Sequence, residues 1–263
     1  MSFFAIAAGH YDRHIGRYGP ALAQRLIEAA GVRAGEHVLD VGCGPGALTA
    51  ALLHHGAQVT AIDPSEPFVS ACAERNPAAD VHQGAAEQLP FQDDAFDAVL
   101  AQLVVNFMRD APAGVREMAR VSRGTVAAAV WDYRDGMTIL RRFWDAARTV
   151  DPDAGDESQM PYCSPDELAG LWRGALDDVR VTETTVQASY SGFEDLWAPL
   201  ESGVAPSGAF TVALDEERRA RLKQEFRTRL AVGDEPFTLT ARAWIVVGRS
   251  YALAARTAPV ASS

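Results

Sequence analysis

The residues best placed to do chemistry are a run of closely spaced glycines with an acid before it and another after it. Val38-Leu39-Asp40-Val41 leads into Gly42-Cys43-Gly44-Pro45-Gly46, and Asp63 closes the next apolar run, 17 positions beyond Gly46. Glycines let a backbone turn sharply and approach a ligand with no Cβ in the way. A G-x-G-x-x-G spacing would set a helix N-terminus against a pyrophosphate. The G-x-G-x-G spacing here departs from that pattern and suits a smaller ligand without phosphate. A carboxylate at the tip of the following strand can accept hydrogen bonds from both hydroxyls of a ribose. Each such charge-assisted bond contributes roughly 1.5–3 kcal/mol. The same carboxylate could instead cap a helix that opens at Ser65.

Proton transfer is the second chemistry to place. All six histidines (His10, His14, His37, His54, His55 and His82) fall in the first 82 residues. His37 and His82 lie on strand patterns and read as structural. His54 and His55 end a helix, where a cation complements the dipole. His10 and His14 remain as candidate acid–base groups, on a segment that could fold over an acceptor. Asn106 and Phe107, and then Trp131, Asp132 and Tyr133, follow two apolar strands, at the strand ends where open α/β sheets hold ligands. With Trp144, Tyr162 and Trp197 as walls, these residues favour a small apolar or aromatic organic acceptor over a sugar or a protein tail. Cys43, Cys72 and Cys163 form no C-x-x-C pair, which excludes a cysteine-built zinc site. Asp93, Asp94 and Asp97 read as turn and strand-start residues and the acidic run 151–157 as a solvated loop, so no metal is expected.

The elements that must position these residues alternate between short apolar runs and helical patterns from Glu36 to Val130, the signature of βαβ units on a parallel sheet. Strands are predicted over 37–41, 58–62, 81–83, 96–103 and 125–131. Helices are predicted over 47–55, from an N-cap at Ser65 with Pro67 in the first turn, and over 113–121. Beyond Trp131 the alternation stops. Helices are expected over 138–150, after Ser164-Pro165, over 191–203 and over 214–230, with strands over 178–188 and 238–247. The stretch DPDAGDESQMP reads as a loop.

Four motifs in order, VLDVGCGPGALT, AIDPS, GAAEQLPF and FDAVLAQ, resemble the class I S-adenosylmethionine-dependent methyltransferases. The likeness is to the type 11 group that includes the menaquinone and ubiquinone C-methyltransferases, and it covers about residues 10–132. It implies a Rossmann-like α/β fold, with a seven-stranded, mostly parallel sheet, helices on both faces and a helical lid. It implies S-adenosylmethionine as cofactor and S-adenosylhomocysteine as product. By the same resemblance Gly42, Cys43, Gly44 and Gly46 lie against the methionine portion, with Gln102 beside it. Asp63, followed by Pro64, holds the ribose, and Ala85-Ala86-Glu87 borders the adenine. Tyr11 and Arg17 would belong to the lid, Arg17 pairing with the methionine carboxylate. Ala85 departs from the Asp or Asn common in relatives, which shifts adenine recognition to the backbone of Ala86 and to Glu87. Arg123-Gly124-Thr125 stands where relatives often carry Pro-Gly-Gly.

The resulting division is an N-terminal lid and helix (1–35), a cofactor-binding core (36–132), the rest of the sheet with substrate-covering helices (133–250) and a tail (251–263). The 263 residues, 48% apolar and 22% charged, suffice for a sizeable core. A net charge of −11 argues against nucleic acid as partner. No apolar run approaches the ~18 residues needed to span a bilayer, no signal peptide is evident, and a cytoplasmic location is expected. The expected partner is a small-molecule methyl acceptor, and a homodimer is compatible with the reading. Two alternatives stay open. One is a methyltransferase-like protein that binds the cofactor for regulation. The other is an NAD(P)-dependent oxidoreductase, disfavoured by the glycine spacing and by Lys223 being the sole lysine.

Overall fold

The computed structural model describes residues 14–155, 157–203 and 205–250. His10 and Tyr11 lie outside them. Strands β1 (His37–Val41), β2 (Gln58–Asp63), β3 (Asp80–Gln83), β4 (Phe96–Gln102), β5 (Ser122–Trp131), β6 (Asp177–Tyr190) and β7 (Phe237–Arg249) form one sheet in the order β3-β2-β1-β4-β5-β7-β6. The pairings β1–β2, β1–β4, β2–β3 and β4–β5 are all parallel. β1 and β4 are buried over most of their length because helices cover both sides of a parallel sheet.

The chain divides into two compact units. One is built on Leu22–Val130, Pro161–Thr184 and residues 244–250. It contains most of α1 (Gly19–Ala30) together with α2 (Ala47–His55), α3 (Glu66–Arg75), α4 (Ala111–Val121) and α6 (Pro165–Arg173). Its core joins Leu39, Val41, Ile62, Val99, Ala101 and Val126 from the strands to Val115, Met118 and Trp172 from the helices. Asp110 caps α4 by accepting the Ala113 N–H at 2.9 Å, and Ser164 caps α6 through the Glu167 N–H.

The other unit gathers residues 14–21 with Trp131–Met160 and Thr185–Ala243. Both units are assembled from separated stretches of the chain. Helices α5 (Thr138–Val150), α7 (Phe193–Glu201), α8 (Ala205–Ala213) and α9 (Glu216–Leu230) belong to this second unit. Phe143 meets Phe226 edge-on at 5.5 Å, and Trp144 meets Phe210 at 5.6 Å. Asp215 caps α9 by accepting the Arg218 N–H at 2.8 Å.

Several expectations are corrected. The helix expected over 191–203 spans only 193–201, and α8 was not anticipated. β4 stops at Gln102, because Leu103 enters the left-handed region (φ 62°) and redirects the chain. The acidic loop contains a short 3-10 turn, Glu157–Gln159, in which Glu157 is buried and accepts the Trp144 indole N–H. That carboxylate is a core partner, not a solvated charge. Among the described residues, no helix is long and apolar enough to cross a membrane.

Candidate functional site

Each of the glycines in the turn between β1 and α2 has positive φ, but for different reasons. A Cβ on Gly42 would lie 2.4 Å from Val104 Cγ2, and one on Gly46 would lie 2.3 Å from Asn76 Nδ2. These two positions are dictated by the protein's own packing. A Cβ on Gly44, at φ +53°, would meet no atom of the described residues within 4 Å. Of the three glycines of this turn, Gly44 alone faces open space among the described residues. The turn is pinned from beneath, where the N–H groups of Gly42 and Cys43 donate to the Ile62 carbonyl at 2.7 and 3.1 Å.

Asp63, at the end of β2, is brought to this turn. Its Oδ2 accepts the Gly44 N–H at 2.9 Å and its Oδ1 accepts the Ser65 N–H at 2.8 Å. The carboxylate thus takes the N–H at the head of α3, where Ser65 forms no side-chain cap. The helix-capping role and a ligand role coexist, because each carboxylate oxygen keeps a further lone pair. Burial raises the Asp63 pKa, opposed by the Ser65 and Gly44 N–H bonds.

Behind the turn Asp40 is fully buried. Its Oδ2 accepts the Thr49 hydroxyl at 2.6 Å, and its Oδ1 has no hydrogen-bond partner. Burial pushes its pKa up to about 7, against the Thr49 bond. An acid with a raised folded-state pKa binds its proton more tightly when folded. Its contribution to stability is then fully present below the unfolded value near 3.8 and is lost as pH rises through about 7. Chemical denaturation of the ligand-free protein at pH 5 and pH 8 should therefore show wild type losing about 2–3 kcal/mol relative to Asp40→Asn. Parallel pH profiles for the two proteins would contradict this.

The expected adenine border is present as a loop. The Gly84 N–H donates to the Asp63 carbonyl at 3.1 Å, and Ala86 is buried. The Ala85 carbonyl accepts the Gln88 N–H, and the Pro64 carbonyl accepts the Gln83 amide. The Glu87 side chain accepts the N–H groups of Arg109 and Asp110, at 2.7 and 3.2 Å, so it braces the loop before α4. Gln102 is half-buried at the end of β4, and the Leu103 N–H donates to the Ala129 carbonyl. Asn106 is buried with its amide donating to the Pro161 carbonyl, and Phe107 is 46% exposed. The amide of Asn106 and the ring of Phe107 therefore do not converge as the walls of one pocket.

In the second unit His14 is buried. Its Nε2 lies 3.3 Å from Ser207 Oγ, and its Nδ1 has no partner among the described residues. Burial, helped by the charge of Arg17, lowers its pKa to about 4, so the imidazole is neutral at neutral pH. Arg17 takes a role the resemblance does not imply. Its fork grips the Asp195 carboxylate, one bond being 2.9 Å, donates to the Ser189 carbonyl and lies 4.7 Å over the Tyr190 ring. A pairing of Arg17 with a methionine carboxylate finds no support in this geometry. Trp131 is fully buried edge-on to Tyr18, and its indole N–H has no partner. Tyr133 is buried next to it in sequence, and Asp132 pairs with Arg242 at 2.8 Å. Trp144 and Trp197 are core residues of the aromatic cluster, not walls. Tyr162 packs on the core of the first unit. His37 is structural as read, with Nε2 at 3.0 Å from Thr60 Oγ1 and its ring against Phe96. Sequence reasoning missed Asn76, Val104, Asp195 and Ser207, whose roles come from partners 30 to 193 positions away.

A family model described as "Methyltransferase domain" matches residues 39–127. A malonyl-[acyl-carrier protein] O-methyltransferase from Serratia marcescens is 34% identical over 122 residues, covering 46% of this chain and 48% of the relative. The chain thus spans about half the length of that relative. Another protein of that name, from Salmonella typhimurium, is 30% identical over 228 residues, covering 84% of this chain and 85% of its own length. Among solved structures, the YcgJ protein from Bacillus subtilis superimposes with a TM-score of 0.56 at 20% identity, covering 87% of this chain and 97% of that one.

Proposed function

Because the chain belongs to the class I S-adenosylmethionine-dependent methyltransferases of the type 11 group, we propose that it transfers a methyl group from S-adenosylmethionine to a small apolar or aromatic molecule. The observation that carries this is the open side of Gly44 next to the Asp63 carboxylate, a cradle that a Cβ would fill. In this reading Gly42, Cys43, Gly44 and Gly46 lie along the methionine portion and Asp63 takes the ribose hydroxyls. Pro64, Ala85, Ala86 and Glu87 border the adenine, Glu87 acting through the loop it braces, and Gln102 lies toward the methionine end. The cofactor supplies a methyl group already activated on a sulfonium. The protein's task is to hold an acceptor in line at about 3–3.5 Å.

His14 is the proposed proton acceptor where the acceptor is a phenol, an enol or an amine. Its burial keeps it neutral, and its Nδ1 has no partner among the described residues. The buried Trp131 N–H, without a partner among the described residues, supports an acceptor that carries a hydrogen-bond-accepting oxygen. The relatives' names point to a carboxylate on a carrier protein. Arg17 and Arg242 are both engaged by carboxylates of the chain itself, which favours an uncharged acceptor here.

Thermal-shift titration tests the cofactor reading. S-adenosylhomocysteine should raise the Tm as RT ln(1 + [L]/Kd) requires, and NAD or NADP should not. Stabilisation by a nicotinamide cofactor alone would overturn it. A methyl-transfer screen that includes phenols, amines and a malonyl thioester then tests the acceptor, and transfer to the thioester alone would replace the aromatic reading. Binding with no transfer to any compound would favour a regulatory role.

A further inference from the structure

The glycine turn and α3 bring together two thiols, one of them, Cys43, on the stretch assigned to the methionine portion. Cys43 sits inside the turn and Cys72 on α3, yet both are buried in one small cluster with Ala61, against which Val81 packs. The two thiols share that cluster, and each shifts the titration of the other. Cys43 Sγ lies 3.6 Å from the Gly44 carbonyl. Cys72 Sγ lies 3.6 Å from Thr49 Oγ1 and 3.8 Å from Asn76 Nδ2. Asn76 in turn reaches the Gly46 carbonyl, so the pair stands at the joint between the turn and α3.

We propose that Cys43 and Cys72 form a redox modification site, joined by a mild oxidant into a disulfide that ties the glycine turn to α3 and weakens nucleoside binding. The weakening rests on the cofactor reading above; the disulfide does not. With hydrogen peroxide as oxidant, one thiolate attacks a peroxide oxygen, the O–O bond breaks and water leaves. The sulfenic acid so formed is attacked by the other sulfur, and a second water leaves. In total two thiols and one peroxide give one disulfide and two waters. The sulfurs are reduced again by an external dithiol.

Three features make this pair suited to the step. The Cys43 thiol, with the Thr49 and Asn76 groups, lowers the Cys72 thiol below its ordinary value, which favours thiolate there, while Cys72 and burial push Cys43 up. Cys43 keeps 6% exposure beside the open side of Gly44, a route for an oxidant as small as peroxide. The S–S bond of about 2.05 Å is shorter than any contact between two thiols. Closing it draws Cys43 toward α3 and shifts the adjacent Gly44 N–H from Asp63.

The test treats the full chain with hydrogen peroxide, then measures intact mass, free thiols under denaturing conditions and affinity for S-adenosylhomocysteine. We expect a mass lower by about 2 Da, one titratable thiol (Cys163) in place of three, and a Cys43–Cys72 cross-link in the peptide map. Affinity should fall at least roughly tenfold and return with dithiothreitol. Cys72→Ser and Cys72→Ala should bind as the reduced wild type does and show no peroxide response. Three retained thiols, a link through Cys163, or mass gain by added oxygen alone would overturn the site. A disulfide with unchanged affinity would overturn its effect on binding. If the reduced protein fails to bind S-adenosylhomocysteine, the cofactor reading falls instead, and the mass and thiol counts still decide the disulfide.

Discussion

Gly44→Val should lower affinity for S-adenosylhomocysteine by roughly a hundredfold or more while costing the fold only about 1–2 kcal/mol. The modest stability cost follows from the backbone alone. A side chain at φ +53° is strained, but its Cβ meets no atom of the described residues within 4 Å. The large affinity cost follows from where the new methyl groups project, into the space the ligand needs. Gly42→Ala is the opposite case. Its Cβ would lie 2.4 Å from Val104 Cγ2, so the variant should lose about 3 kcal/mol or more of stability through overpacking added to backbone strain. Calorimetric titration and urea denaturation of both proteins separate the two effects. Wild-type affinity in Gly44→Val would remove the turn from the ligand site.

Asp63→Ala should be the most damaging single change to binding, with affinity falling on the order of a hundred- to a thousandfold. The variant loses the ribose acceptor and also strands the Gly44 and Ser65 N–H groups, whose distances to the carboxylate are 2.9 and 2.8 Å. Melting temperature should fall as well, so loss of affinity alone would not isolate the sugar contact. A sharper comparison uses S-adenosylhomocysteine and its 2′,3′-dideoxy analogue. Wild type should prefer the natural nucleoside at least roughly tenfold, and Asp63→Asn, with one amide oxygen left to accept the backbone N–H groups, should lose most of that preference. Equal discrimination by the two proteins would assign Asp63 to capping α3 and nothing more.

The parallel half of the fold was legible because its physics is local. β1, β2, β4 and β5 are apolar runs bounded by glycine or polar turns, and α4 and α6 carry their own capping residues. The turn and Asp63 were legible for the same reason, since spacing along one βαβ unit sets them in register through β1–β2 pairing. What escaped has no local trace. α8 was missed because Ala205–Ala213 is mostly small and apolar, with Pro206 and Gly208 inside it, and lacks a clear helical stripe. The Asp195 partner of Arg17 is 178 positions distant, and nothing in the charged N-terminal run distinguishes a guanidinium aimed at a ligand from one aimed at the chain's own carboxylate. Glu157 looked solvated because its neighbours are acidic, and only the Trp144 indole reveals its place.

The unequal origins of the glycines bear on how such chains diverge. Positions 42 and 46 answer to Val104 and Asn76, internal neighbours that persist whether or not a nucleoside is ever bound. A descendant that abandoned methyl transfer would keep both and still display most of the familiar signature. At position 44 no atom of the described residues lies within 4 Å of an added Cβ, so once the ligand is gone only the left-handed backbone still resists a side chain. Among homologues, a bulky residue there would mark a retired scaffold that the surrounding pattern still passes off as an enzyme.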